Sequence, residues 1–132
     1  MKTSRPYPAA IVSPKGEVSI RSGHPWVYHT EITPPQPAPE NGSLVDLISR
    51  QGRYLGTGFW NEHSKIRVRI LSQNANDRFD EAFWERRLRY AWQYRKTVLT
   101  PEDLAACRLI FGEADQLPGL TVGRFGDILV AQ

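Results

Sequence analysis

Within the first 75 residues Lys15, Arg21, Arg50, Arg53, Lys65, Arg67 and Arg69 interleave with His24, Trp26, Tyr28 and Trp60. Cations neutralise phosphates and aromatic faces stack on unpaired bases, so this mixture is chemistry suited to RNA. Lys15, Arg21, Gly23, His24, Lys65 and Arg67 are the first candidates for RNA contact. Arg50, Arg53, Arg86 and Arg89 are secondary ones. Trp26 and Trp60 read as core rather than as stacking platforms. Arg67 stays open between a phosphate contact and a solvated side chain, and Arg69 reads as a structural partner for Asp46.

Other chemistries find less support. Cys107 is the single cysteine, which excludes an intrachain disulfide, and only Arg108 lies beside it as an activator. It reads as a half-buried structural thiol. His24, His29 and His63 are too scattered for metal ligation. Glu113 and Asp115, two apart in a loop, read as turn caps rather than as an acid/base pair. Gly56-Thr57-Gly58 is a lone GxG inside a strand, where a bulge or a close backbone approach is the better account.

The elements that must position these residues follow from periodicity. Ser64 to Leu71 alternates, with Ile66, Val68 and Ile70 on one side and Arg67 and Arg69 on the other, which predicts a strand with a basic outer edge. Tyr54–Trp60 is its hairpin partner and Leu44–Ile48 a third, more buried strand. Ala9–Val12 is a first strand closed by a Ser13–Gly16 turn, with Glu17–Ile20 a candidate returning strand. Pro25 opens one or two helical turns that hold Trp26 against the sheet. Prolines at 34, 35, 37 and 39 make residues 33–42 a surface loop ending in an Asn41-Gly42 turn.

Past residue 74 the character changes. Asp80 caps a long helix, Glu81–Val98. Phe83, Trp84, Leu88, Ala91, Trp92, Arg95 and Val98 form its apolar stripe, and Arg86, Arg89, Gln93 and Lys96 face the other way. Thr100 caps a second short turn, and strands near Arg108–Phe111, Leu120–Phe125 and Ile128–Ala131 follow.

Four stretches, RSGHPWVYHTEI, YLGTGFWNEHSKIRVRIL, FWERRLRYAWQYR and RLIFGEADQLPGLTVGRFGDILVAQ, together resemble the bacterial ribosomal RNA large-subunit methyltransferases. The resemblance implies a PUA-type RNA-binding β-barrel over residues 1–74. A partial α+β domain over residues 75–132 follows it, with a long helix and antiparallel strands and no Rossmann domain. In that family a further domain binds S-adenosylmethionine and methylates carbon 5 of a cytosine through a cysteine, a role Cys107 does not match. The chain is thus expected to be the RNA-recognition part of such an enzyme, inactive alone, cofactor-free, and cut short of its catalytic domain. The alternative is a stand-alone RNA- or protein-binding module with an SH3-like barrel.

The charge distribution agrees with a polyanionic partner, since the net +3 divides into +4 over residues 1–75 and −1 over the rest. Ribosomal RNA is the expected partner. No apolar run approaches membrane-spanning length, and the first residues lack the apolar core of a secretory signal, so a cytoplasmic protein without membrane contact is expected. The apolar final strand is expected to pair with a second copy.

Overall fold

The computed structural model describes residues 5–132, and the first four residues of the segment read as lacking a signal lie outside it. The chain divides into two compact units, Met1–Ala75 and Asn76–Gln132.

In the first unit β1 (Ala9–Val12), β2 (Trp26–Tyr28), β3 (Ile32–Thr33), β4 (Leu44–Ser49), β5 (Tyr54–Trp60) and β6 (Ile66–Ser72) form one sheet. Its order is β2-β6-β5-β4-β1-β3. The two edge strands are joined through a single 3-10 turn, His29–Glu31, so the sheet curls into a nearly closed barrel. Ala10, Val12, Val27, Val45, Leu47, Leu55, Trp60 and Val68 fill it. The expected β4, β5 and β6 are all present. The GxG of β5 is a close approach: a Cβ at Gly58 would lie 2.3 Å from the Arg69 carbonyl oxygen, and the β5–β6 register slips at that point.

Three expectations in this unit are overturned. Ser13–Gly16 is not a turn, and Glu17–Ile20 is not a strand; Pro14–Arg21 is helix α1. Ser13 caps it by accepting from the Gly16 N–H at 3.2 Å, Pro14 occupies the first turn, and Glu17 adds an acidic group near the positive end. Gly16 lets the helix press on the barrel, because a Cβ there would meet Val12 Cγ1 at 2.6 Å. Likewise the segment after Pro25 is strand β2, not helix. It pairs with β6 in the register Trp26↔Arg69 and Val27↔Val68, and the Pro25 carbonyl accepts from the Ile70 N–H. Burying Val27 on that ladder outweighs the helical spacing of its neighbours.

The second unit holds α2 (Glu81–Val98), α3 (Pro101–Leu104) and an antiparallel sheet of β7 (Ala106–Phe111), β8 (Thr121–Phe125) and β9 (Ile128–Ala131). Both expected caps are made: Asp80 accepts from the Phe83 N–H at 3.0 Å and Thr100 from the Asp103 N–H at 3.2 Å. Ala91, Ile110 and Leu117 are the core, with Trp84, Leu109, Leu120 and Val122 packed around them. The stripe on α2 is narrower than expected, because Leu88 and Val98 are exposed. Arg95 is half-buried as expected, and Arg87, outside the expected stripe, is half-buried as well.

Candidate nucleic-acid interface

Helix α1 ends in a Schellman motif. The Gly23 N–H donates to the Ile20 carbonyl and the His24 N–H to the Ser19 carbonyl, each at 3.0 Å. Gly23 has φ +97°, a conformation that costs an L side chain but not glycine. The motif turns the chain outward and delivers His24 beside β2. There His24 Nδ1 accepts from the Trp26 N–H at 3.3 Å, and its ring lies 6.2 Å from Trp26 and 6.0 Å from Tyr28. The His29 N–H donates to the Lys65 carbonyl at 2.9 Å, tying the β5–β6 turn to the far end of β2.

Lys15, Arg21, Gly23, His24 and Lys65 are all exposed. Arg21 shares a surface ion pair with Glu17 at 2.9 Å, a contact weak enough for a phosphate to displace. Arg21, Gly23 and His24 lie together on the α1–β2 turn, with Lys65 along the same edge. Arg50 and Arg53 do not join them. They sit in the β4–β5 turn, at the opposite end of β5 from Lys65, a strand length of roughly 20 Å away. Arg86 and Arg89 belong to α2 in the second unit, where Arg86 faces Asp77 at 3.7 Å and Arg89 pairs with Glu85 at 2.6 Å.

The two arginines of β6 differ from the expected basic edge. Both are half-buried. The Arg67 guanidinium lies 5.7 Å from the Trp60 ring, its Nε buried without a hydrogen-bond partner, and the Arg69 guanidinium lies 5.2 Å from the Trp26 ring. Cation–π contacts, with the buried Trp60 for Arg67 and with the half-buried Trp26 for Arg69, explain why each guanidinium is half-covered rather than fully solvated. Trp60 is core, as its sequence context suggested.

Asp46 does not pair with Arg69. Its partner is Arg5, whose Nε donates to Asp46 Oδ2 at 2.6 Å, and the Thr57 hydroxyl donates to Asp46 Oδ1 at 2.6 Å. The hydrogen bonds to Asp46 hold the Arg5 guanidinium above its ordinary pKa against the cost of burial. Arg5 also donates to the Ala75 carbonyl and stacks 4.7 Å from Tyr54. Nothing local in the sequence points to this network, since its partners are 41 and 70 residues apart.

The second unit has a matching pair. Arg95 grips Asp115 through two hydrogen bonds of 2.7 Å, and the Phe111 N–H adds a third at 2.7 Å. Burial alone would raise the Asp115 carboxyl, but the Arg95 and Phe111 hydrogen bonds and the Arg95 charge hold it below its ordinary value of 3.8. Asp115 is thus a fixed anion that caps a turn, as read from the sequence. Cys107 is half-buried and its thiol donates to the Leu104 carbonyl at 3.5 Å, again a structural setting.

Residues 10–73 match the family described as PUA-like domain, so the barrel is a PUA-like domain. Over 126 residues the chain is homologous to ribosomal RNA large subunit methyltransferase I, with 37% identity to the Salmonella typhi protein and 38% to that of Salmonella paratyphi C. Each alignment covers 96% of this chain and 31% of the relative, so the chain spans about a third of the length of these proteins. Among solved structures, a Streptococcus mutans protein assigned as a SAM-dependent methyltransferase superposes with a TM-score of 0.77 at 18% identity. That superposition covers 93% of this chain and 32% of the other. A second protein assigned as a methyltransferase and solved in complex with SAH gives 0.75 at 18% identity, covering 93% and 31%. At that identity the likeness is one of fold.

Proposed function

We propose that this chain is the RNA-recognition portion of a SAM-dependent ribosomal RNA methyltransferase, one that modifies carbon 5 of a cytosine. The relatives extend well past the region this chain matches, and in this reading the methyl-transfer chemistry and S-adenosylmethionine belong to that remainder. Such a protein works in the cytoplasm, where ribosomal RNA is made and assembled. The observation that carries the reading is the exposed Arg21-Gly23-His24 turn with Lys65 along the same edge, on a PUA-like barrel whose relatives are named for ribosomal RNA. Phosphate contacts from Lys15, Arg21 and Lys65 fix the register, and His24 is placed to meet a base edge or sugar. Arg67 contributes through the face of the barrel that it holds in place. The apolar edge of β9, with Ile128, Leu129 and Val130 exposed, favours self-association through that strand, which light scattering at high concentration tests.

Filter binding of a large-subunit ribosomal RNA fragment at about 50 and 200 mM salt tests the main reading, because counterion release makes such binding fall steeply with salt. The triple replacement of Lys15, Arg21 and Lys65 by alanine should flatten the salt dependence and leave the melting temperature within a degree or two. Salt-insensitive binding, or a triple variant that binds like the parent, overturns it. Calorimetric titration of the chain with S-adenosylmethionine should show no heat of binding.

A further inference from the structure

In the second unit a groove of about 420 Å³ runs between α2 and the turn after β7, lined by Arg87, Tyr90, Tyr94, Arg95, Phe111 and Gln116. Three of these are large rings turned to solvent: Tyr90 is 64% exposed, Tyr94 59% and Phe111 50%. Core packing does not account for them: Ala91, which also lines the groove, is buried, whereas the three rings stand out from it. Tyr90 and Tyr94 are one helical turn apart, so both border the same groove.

The cations around these rings are held in fixed positions. Arg95, locked by Asp115, lies 5.4 Å from the Tyr94 ring. Arg87 donates to the Gln116 carbonyl and rests 4.5 Å from Phe83. Burial lowers its pKa, yet a guanidinium stays protonated at neutral pH. Arg108 does not itself line the groove but stacks 4.6 Å from Phe111, which does, and among the described residues no carboxylate pairs with it. The one carboxylate in the groove, Asp115, is already engaged by Arg95. The rim is therefore cationic, although the unit as a whole is not.

We infer that this groove is a second RNA contact, which seats one unpaired nucleotide with its base stacked among Tyr90, Tyr94 and Phe111 and its phosphate facing Arg87 and Arg108. The inference rests on the RNA reading of the barrel, but uses a separate surface and a different interaction. Base stacking is tolerant of sequence and needs single-stranded RNA, and an arginine plane beside a ring extends the stacking surface. A volume of about 420 Å³ suits a nucleoside. A proline-rich peptide would use the rings but not the cations, which is why a nucleotide is the better occupant.

The test is fluorescence anisotropy of a labelled twelve-nucleotide oligouridine, with photocrosslinking of its 5-bromouridine form mapped by mass spectrometry. The intact chain is compared with Tyr90→Ala/Tyr94→Ala, Arg108→Ala and the barrel variant Arg21→Ala/Lys65→Ala. Tyr90 and Tyr94 are exposed on a helix, so their loss should leave the fold intact, as circular dichroism will show. We expect the double tyrosine variant to bind about tenfold more weakly with an unchanged salt slope, as loss of stacking requires. Arg108→Ala should reduce the slope by about 0.7, the value for one phosphate on a single strand. Crosslinks should fall on residues 87–116. Parental affinity in both groove variants, or crosslinks confined to residues 1–75, overturns the inference while leaving the barrel reading intact. The converse, loss only in the groove variants, supports the groove and sinks the barrel reading. Chemical-shift changes at Tyr90 and Tyr94 with a peptide of residues 33–42, and none with oligouridine, would also overturn it.

Discussion

The α1–β2 edge of the barrel and its β4–β6 wall carry the same kinds of cation and use them in opposite ways. On the wall, Arg5, Arg67 and Arg69 are spent on Asp46, Trp60 and Trp26. On the edge, Lys15 and Lys65 are open to solvent, and Arg21 is held only by a surface pair. Charge alone does not mark a binding surface. What marks it is a cation whose neighbours leave its field unspent, and local geometry such as the Gly23 turn decides that.

That contrast can be broken at several points. The largest effect is expected from Asp46→Ala. It removes the anion under Arg5 and Thr57 and leaves a partly buried guanidinium unpaired, at a cost of about 3 kcal/mol. Urea denaturation should show the loss, whereas RNA affinity per folded molecule should stay the same; if affinity falls with no change in stability, the wall is a contact surface after all. Asp115→Asn is the counterpart in the second unit, with about 2 kcal/mol expected at neutral pH. The sign with pH is definite. The Asp115 pKa is depressed in the folded state, so its contribution is present above 3.8 and is lost as pH falls through the lower folded value. The variant should therefore show a smaller acid-induced drop in stability than the parent, and equal drops would contradict the assignment.

Smaller effects sharpen the comparison. Gly23→Ala should cost about 1 kcal/mol from the left-handed conformation and should weaken RNA binding beyond that, because His24 and Arg21 lose their relative placement. Thermal melts and filter binding on one preparation separate the two effects. Arg67→Ala should cost about 1 kcal/mol through lost stacking on Trp60, with little change in the salt dependence of RNA binding. A reduced salt slope in that variant would move Arg67 from the wall to the edge.

Much of this was legible in the sequence where the signal is local. The alternation of β6, the aromatic run of β5, the Asp80 and Thr100 caps and the structural role of Asp115 all depend on neighbours a few residues away. Helix α1 is not announced by its sequence, because Ser13-Pro14-Lys15-Gly16 suits a turn as well as a capped first helical turn. Its inward residues, Gly16 and Ile20, include one with no side chain to reveal the period. Strand β2 is three residues long and exists through a partner some forty positions later, so no local pattern could announce it. The Arg5–Asp46 pair and the groove of Tyr90, Tyr94 and Phe111 are likewise products of the fold.

Position 58 shows how such products are set. With hydrogen in place of a methyl group, β5 lies so near β6 that Arg67 comes within stacking reach of Trp60. A side chain there would have to wedge the ladder apart and carry Arg67 away from the Trp60 ring. The missing carbon thus governs whether one positive charge stays half-covered or swings out toward water, and with it part of the electrostatic face this barrel shows to a polyanion.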